Sequence, residues 1–173
     1  MNYLHITHCD QVNGEGLRTV FWVAGCSHDC HNCQNPFSHD CHAGIEFDDN
    51  AKQELFRDLN EDWCSGVTFS GGDPLFEKNR QTIIDLCKEI KDKFPTKTIW
   101  LYTGYTFNEI VDSISMINIL KYIDVIIDGE FIESLKDPNL RWRGSSNQNV
   151  IYVKRKINRL TECLNNSNDT QLG

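Results

Sequence analysis

Long apolar runs are missing from this sequence. The longest, VFWVAG at Val20–Gly25, falls far short of the roughly 20 residues that a membrane-spanning helix needs. No membrane partner is expected. Positive charge is also scarce: 17 Lys and Arg stand against 25 Asp and Glu, for a net charge of −8 and a pI near 5.2. Such a chain lacks the long-range attraction that nucleic acids reward, so nucleic acid is not an expected partner either. The first residues, MNYLHITHCDQ, hold neither a basic segment nor an apolar one. They do not read as a secretory signal, and a cytoplasmic location is the expectation. Neither an internal repeat nor a linker-like break interrupts the 173 residues, and that length suits one domain around one core.

Cysteine, by contrast, is plentiful. Eight are present: Cys9, Cys26, Cys30, Cys33, Cys41, Cys64, Cys87 and Cys163. An even count would permit disulfides, but a reducing compartment would keep the thiols free. Clustered thiols there more often bind metal or do chemistry. Three of them fall within GCSHDCHNCQNP, Gly25–Pro36, too close together on one loop to be packing groups.

The rest of the chain alternates strand and helix patterns. LRTVFWVAG (Leu17–Gly25) is β-branched and aromatic and reads as a buried strand, with the cysteine loop directly after it. DDNAKQELFRDLNEDW carries Leu55, Phe56 and Leu59 at helical spacing behind an Asp start. GVTFS (Gly66–Ser70) is a short strand closed by GGDPL. A helix over 77–94 follows, with Ile83, Leu86, Cys87, Ile90 and Phe94 on one face and Pro95 as its stop. KTIWLYTGY is a strand, and TFNE (Thr106–Glu109) is a capping box for a helix running to about Tyr122. DVIIDG (Asp124–Gly129) and NVIYVK (Asn149–Lys154) are further strands. The tail is rich in Asn, Ser, Asp and Gln and is expected to fray.

Alternating elements of this kind predict right-handed βα units on a parallel sheet. A closed eight-fold barrel needs about 250 residues, so the expectation is an α/β fold with an incomplete, open βα barrel of mostly parallel strands. The cysteine loop, GGDP, TGY and DGEF all follow predicted strands. In such folds chemistry gathers at the carboxyl ends of the strands.

Cys26, Cys30 and Cys33 are spaced C-x3-C-x2-C. Structural zinc and ordinary iron–sulfur clusters take four protein ligands. A site with three leaves one position open, as catalytic metals do. This spacing, on a loop after the first predicted strand, resembles the signature of the radical S-adenosylmethionine (SAM) enzymes, although Asn32 stands where that family usually has an aromatic residue. VNGEGLR, GCSHDCHNCQNP, SGGDPL, LYTGY, DVIIDGEF and RWRGSSNQ occur in one order over residues 1–151. Together they are similar to the subgroup that activates the anaerobic ribonucleoside-triphosphate reductase.

The resemblance implies a radical SAM domain over 1–157 and a polar tail over 158–173. It implies a [4Fe–4S] cluster held by Cys26, Cys30 and Cys33, which are also the catalytic residues. SAM would be reductively cleaved there to a 5′-deoxyadenosyl radical that takes hydrogen from a glycine of the reductase. Asn32, Cys33 and Gln34 would line the SAM pocket, with Ser70, Gly72 and Asp73 around its amino group. The implied partners are the reductase and an electron donor such as flavodoxin or ferredoxin.

Other readings attach to the same residues. GGDP would also serve as a tight turn before a helix. Gly14 and Gly16 read as turn residues. Tyr102 is either a packed aromatic or a ribose contact, and Asp128 stands at a strand end where it would meet ribose or substrate. Arg141 and Arg143 flank Trp142 and would bind an anionic group or a partner, or lie solvated. Cys87 falls on an apolar helix face, and Cys9, Cys64 and Cys163 have no partner at ligand spacing. Cys41, with His28, His31, His39 and His42, would complete a zinc site in a small interaction module. Within the superfamily, an activase of a different glycyl-radical enzyme and a deazaguanine-forming enzyme are the alternatives.

Overall fold

The computed structural model describes residues 1–169, with side chains through residue 162. It is an α/β fold built on one open sheet of seven strands. In chain order these are β1 (Asn2–Asp10), β2 (Arg18–Val23), β3 (Ile45–Glu46), β4 (Gly66–Gly71), β5 (Thr98–Tyr102), β6 (Val125–Asp128) and β7 (Asn149–Tyr152). The helices are α1 (Asp49–Leu59), α2 (Arg80–Lys93), α3 (Phe107–Asp112) and α4 (Val153–Asp169). Across the sheet the order is β3-β1-β2-β4-β5-β6-β7.

The centre β2-β4-β5-β6 is parallel. Both margins are antiparallel, β3-β1-β2 on one side and β6-β7 on the other. The sheet is open, as expected, and mixed: the parallel pairings form its centre and antiparallel pairings its margins. β1 went unread in the sequence because bulges between Tyr3 and His5 and between Thr7 and Asp10 break its alternation. β7 joins as an antiparallel edge beside β6; the segment between them contains a 3-10 turn over Glu133–Leu135 but no helix to carry a crossover to the far face.

Strand alternation divides the sheet into two faces. Phe21, Val23, Val67, Phe69, Ile99, Leu101 and Ile126 meet Leu55 and Leu59 of α1 and Ile83, Leu86, Cys87 and Ile90 of α2 in the main core. Each fully buried Phe or Leu there contributes about 1.5–3 kcal/mol. α1 starts where it does because Asp48 accepts a hydrogen bond from the Ala51 N–H at 2.9 Å. The opposite face carries Trp100, Val125 and Ile127, with Tyr102, Trp142 and Val150 packed on them.

At the amino end of that face lies Arg18, wholly buried. Its Nε donates to Thr68 Oγ1, Nη1 to Glu15 O and Thr98 Oγ1, and Nη2 to Val67 O and Thr98 O. All five guanidinium donors are used, and none goes to a carboxylate. Burial pushes its pKa down to about 10.

Two helices are shorter than the sequence pattern suggests. The helix expected to reach Tyr122 stops at Asp112; Ser113 is extended, and a 3-10 turn over Ile117–Lys121 replaces the remainder. The Ser113 carbonyl takes the Met116 and Ile117 N–H groups, and its hydroxyl meets that of Ser115. Serine competes in this way for local backbone groups and ends helices. α2 begins at Arg80 rather than 77 because Asn79 turns its side chain to Ala24 O and Asp73 O. The polar tail expected over 158–173 lies partly outside the described residues, as does the Cys163 side chain.

Candidate functional site

The carboxyl ends of β2, β4, β5 and β6 converge on a cavity of about 200 Å³. The cysteine loop leaves β2 and crosses above them. Backbone bonds fix its two ends: Gly25 N–H to Ser38 O at 2.7 Å and Cys26 N–H to His39 O at 3.3 Å. Between them Asp29 (φ 48°) and Asn32 (φ 53°) are left-handed. Asp and Asn are the non-glycine residues that accept this backbone most readily. An aromatic residue at position 32 would be strained, which accounts for its absence.

Cys26, Cys30 and Cys33 all line the cavity. Each sulfur faces a backbone N–H: His28 for Cys26, Phe131 for Cys30, and Asn35 for Cys33, the last at 3.4 Å. Burial, foremost, pushes the Cys26 thiol up to about 11, and the negative charges of Asp73, Cys30 and Cys33 add to it. Burial also raises Cys30. Among the described residues, no three His, Cys, Asp or Glu side chains converge on the centre of a single metal ion. The separate irons of a cluster would hold their sulfurs farther apart than one ion does.

Gln34, Ser70, Gly72 and Asp73 line the same cavity. The end of β4 is hydrogen-bonded to the start of the cysteine loop, Gly72 N–H to Val23 O and Asp73 N–H to Gly25 O. The approach is so close that a Cβ on Gly72 would lie 2.4 Å from Gly25 O and 2.8 Å from Ser38 O. Glycine is therefore required there by main-chain contact with the loop. Asn32 does not line the cavity; its side-chain amide donates to Glu133 Oε1 at 2.6 Å.

Asp73 is buried, with 1% of its surface exposed. Its carboxylate accepts from Leu75 N–H at 2.7 Å, Thr103 Oγ1 at 2.9 Å and Gly104 N–H at 3.0 Å. His28 Nε2 lies 2.8 Å from Oδ2. That ring N–H points off the line to the carboxylate, so the contact is an ion pair rather than an aligned hydrogen bond. On its far side His28 Nδ1 meets Glu130 Oε1 at 2.9 Å. The contact with Asp73 above all, then that with Glu130, holds the His28 pKa up at about 9 against the opposing effect of burial.

These partners escaped sequence reasoning. His28 stood there only as one of several histidines near the cysteines, and Glu130 only as part of DGEF. Thr103 was passed over inside LYTGY. The one available signal was that all three follow predicted strands at the same end of the sheet.

Other marked residues go elsewhere. Asp128 does not line the cysteine cavity: Oδ2 accepts from Phe107 N–H at the start of α3, and Oδ1 from Asn149 N–H and its side chain. It fastens α3 and β7 to β6, which corrects the idea that it meets ribose or substrate. Tyr102 is packed and also lines the cavity. The Arg141 guanidinium stacks 3.9 Å over Trp142, and Arg143 donates to Gln148 O. Cys41 accepts from Lys78 Nζ at 3.3 Å. Cys87 is buried as expected. No helix among the described residues is long and apolar enough to cross a membrane.

Comparisons with known proteins bear on this arrangement. A family model described as a 4Fe-4S single cluster domain matches residues 12–151. Three relatives share one description, anaerobic ribonucleoside-triphosphate reductase-activating protein. That of Enterobacteria phage T4 is 43% identical over 150 residues, covering 87% of this chain and 93% of the relative. That of Haemophilus influenzae is 43% identical over 156 residues, covering 89% and 99%. That of Escherichia coli is 37% identical over 156 residues, covering 89% and 100%.

Proposed function

This chain belongs to the family of anaerobic ribonucleoside-triphosphate reductase-activating proteins and carries a 4Fe-4S single cluster domain, and from that premise we propose that it activates such a reductase by radical SAM chemistry. The observation that carries the reading is the meeting of three cysteine sulfurs and the Gly-Gly-Asp end of β4 around one cavity.

The residues present fit a cluster. Three thiols stand within electrostatic reach of one another, and burial raises the pKa of two of them by penalising the thiolate. Metal binding reverses that penalty by holding the thiolates. A backbone N–H aimed at each sulfur is the kind of contact that sets cluster potential. Cys26, Cys30 and Cys33 would hold the cluster, leaving one iron without a protein ligand for the amino and carboxylate groups of SAM. When bound, the cluster supplies the electron that splits a sulfonium–carbon bond of SAM, giving methionine and the 5′-deoxyadenosyl radical that removes hydrogen from a glycine of the reductase.

The chain's own task is to orient and exclude. Asp73, anchored by its own turn and by the β5 loop, presents fixed negative charge beside the cysteines, where an ammonium group is favoured. Ser70 and Gln34 offer hydrogen bonds from either wall, and Cys33 shares that wall. The Asn32 side chain is committed to Glu133, outside the cavity lining. The cavity of about 200 Å³ is open on one face and smaller than the roughly 300–1,000 Å³ of small-molecule pockets. It takes the amino-acid end of SAM, and the nucleoside lies along the open face toward Tyr102. The open sheet is read as a radical SAM-type partial barrel over 1–157, followed by the tail over 158–173. The unclosed side admits a loop of the reductase, and the electron comes from a flavodoxin or ferredoxin in the cytoplasm.

Anaerobic reconstitution with iron and sulfide, then dithionite and SAM, tests this by the release of 5′-deoxyadenosine. Added reductase should then show a glycyl radical by electron spin resonance. A colourless protein holding only zinc would defeat the reading and favour a binding module instead.

A further inference from the structure

His28 stands between two carboxylates on the loop that carries the cysteines. Nε2 is 2.8 Å from Asp73 and Nδ1 is 2.9 Å from Glu130. The ring is confined as well as paired. A Cβ on Gly104 would lie 2.4 Å from its Cδ2, and Tyr105 meets it edge-on with centroids 4.6 Å apart. One side chain of the cysteine loop thus touches the turns after β4, β5 and β6 together. Among the described residues, the loop's other long-range ion pairs and side-chain hydrogen bonds, from Cys30, His31 and Asn32, all reach the β6 side alone, at Phe131 and Glu133.

We propose that His28 is a positioning residue that straps the cysteine loop to Asp73, and so sets where the cysteine-bound group stands relative to the carboxylate that receives the amino end of SAM. This rests on the SAM reading above. The three sulfurs come from one wall of the cavity and Asp73 from another. A ligand that bridges them needs a fixed separation, and binding weakens when the protein must first order that separation itself. His28 spans that gap. The backbone bonds of Gly25 and Cys26 to Ser38 and His39 hold the base of the loop independently, so iron retention does not depend on the ring.

The test uses reconstituted full-length protein carrying His28→Ala, His28→Gln, Asp73→Asn and the two double variants. Iron and sulfide content, SAM affinity by anaerobic equilibrium dialysis, and the electron spin resonance of the reduced protein with and without SAM are measured on each. His28→Ala should keep its iron and lose about tenfold or more in SAM affinity. It should also show a smaller spectral change on SAM addition. His28→Gln, which retains one amide donor, should recover part of that loss. On the Asp73→Asn background, His28→Ala should cost little more, because the ring acts through that carboxylate.

In the iron-free protein, hydrogen exchange at the Gly104 amide, which Asp73 accepts, should quicken in His28→Ala. That readout involves no SAM. Affinity within about twofold of wild type for His28→Ala overturns the proposal, as does full additivity with Asp73→Asn or loss of iron. A wild-type protein that holds iron and sulfide but binds no SAM overturns the functional reading itself. Exchange at Gly104 then still reports whether the strap exists, so the two failures are told apart.

Discussion

Two cationic side chains sit inside this fold at opposite ends of the same parallel strands, and they are held in different ways. Arg18, at the amino ends of β2, β4 and β5, meets only carbonyls and hydroxyls and uses every donor it has. His28, at the carboxyl ends, meets two carboxylates and is poorly aligned to the one that is buried. The first arrangement is saturated and offers a ligand nothing. The second leaves negative charge gathered beside three thiols. A strand has the same backbone at both ends; the division of labour comes from what the loops bring.

The comparison breaks most completely at the cysteines. Cys30→Ala should abolish iron retention and 5′-deoxyadenosine release, a loss beyond the roughly 10–100-fold that removing a supporting residue costs. The fold should persist, since Cys30 is outside the core, and circular dichroism checks this. Arg18→Met should act in the opposite sense. It strands the Val67 and Thr98 carbonyls without donors, at about 1–3 kcal/mol for each buried acceptor. Denaturant unfolding should show a drop of about 2–5 kcal/mol, while iron content per folded molecule stays unchanged.

Asp73→Asn removes charge and keeps shape. It should weaken SAM binding by about 10–100-fold, the worth of one charge-assisted hydrogen bond. Equilibrium dialysis reads this, and an unaltered affinity would separate the carboxylate from the ligand.

The smallest effect lies away from both ends. His8 contacts Asp58, the larger cause of its raised pKa, and also Glu54. A raised folded pKa means stabilisation that is full below the ordinary value of 6.5 and is lost as pH rises through the folded value. His8 is 46% exposed on its side chain, so screening limits the contribution to about 1 kcal/mol or less. Urea midpoints at acidic and alkaline pH should differ less in His8→Gln than in wild type.

The sequence made the central strands, the amphipathic faces of α1 and α2, and the cysteine loop legible, because each rests on a short local pattern. Ile83, Leu86 and Ile90 read as one apolar helix face from their spacing alone, and they are buried in the main core. What stayed hidden depends on distance along the chain. His28 and Glu130 are 102 residues apart, and no periodicity links them. Asp128 looked like a site residue because a strand end is where sites lie; its bonds to Phe107 and Asn149 exist only once β7 returns beside β6. Asn32 was the reverse case. Its departure from the aromatic pattern looked like a weakness, and the left-handed backbone supplies the reason.

The touching main chains of Gly25 and Gly72 carry one more implication. Where two walls meet with no side chain between them, there is nothing to vary. Inheritance can retune the cleft from its rim, at Gln34, Ser70 or the segment after β6, but not at this seam. An engineer seeking a roomier variant faces the same rule: any bulk added at position 72 pries the thiol-bearing loop off its seat before it reshapes the space beneath.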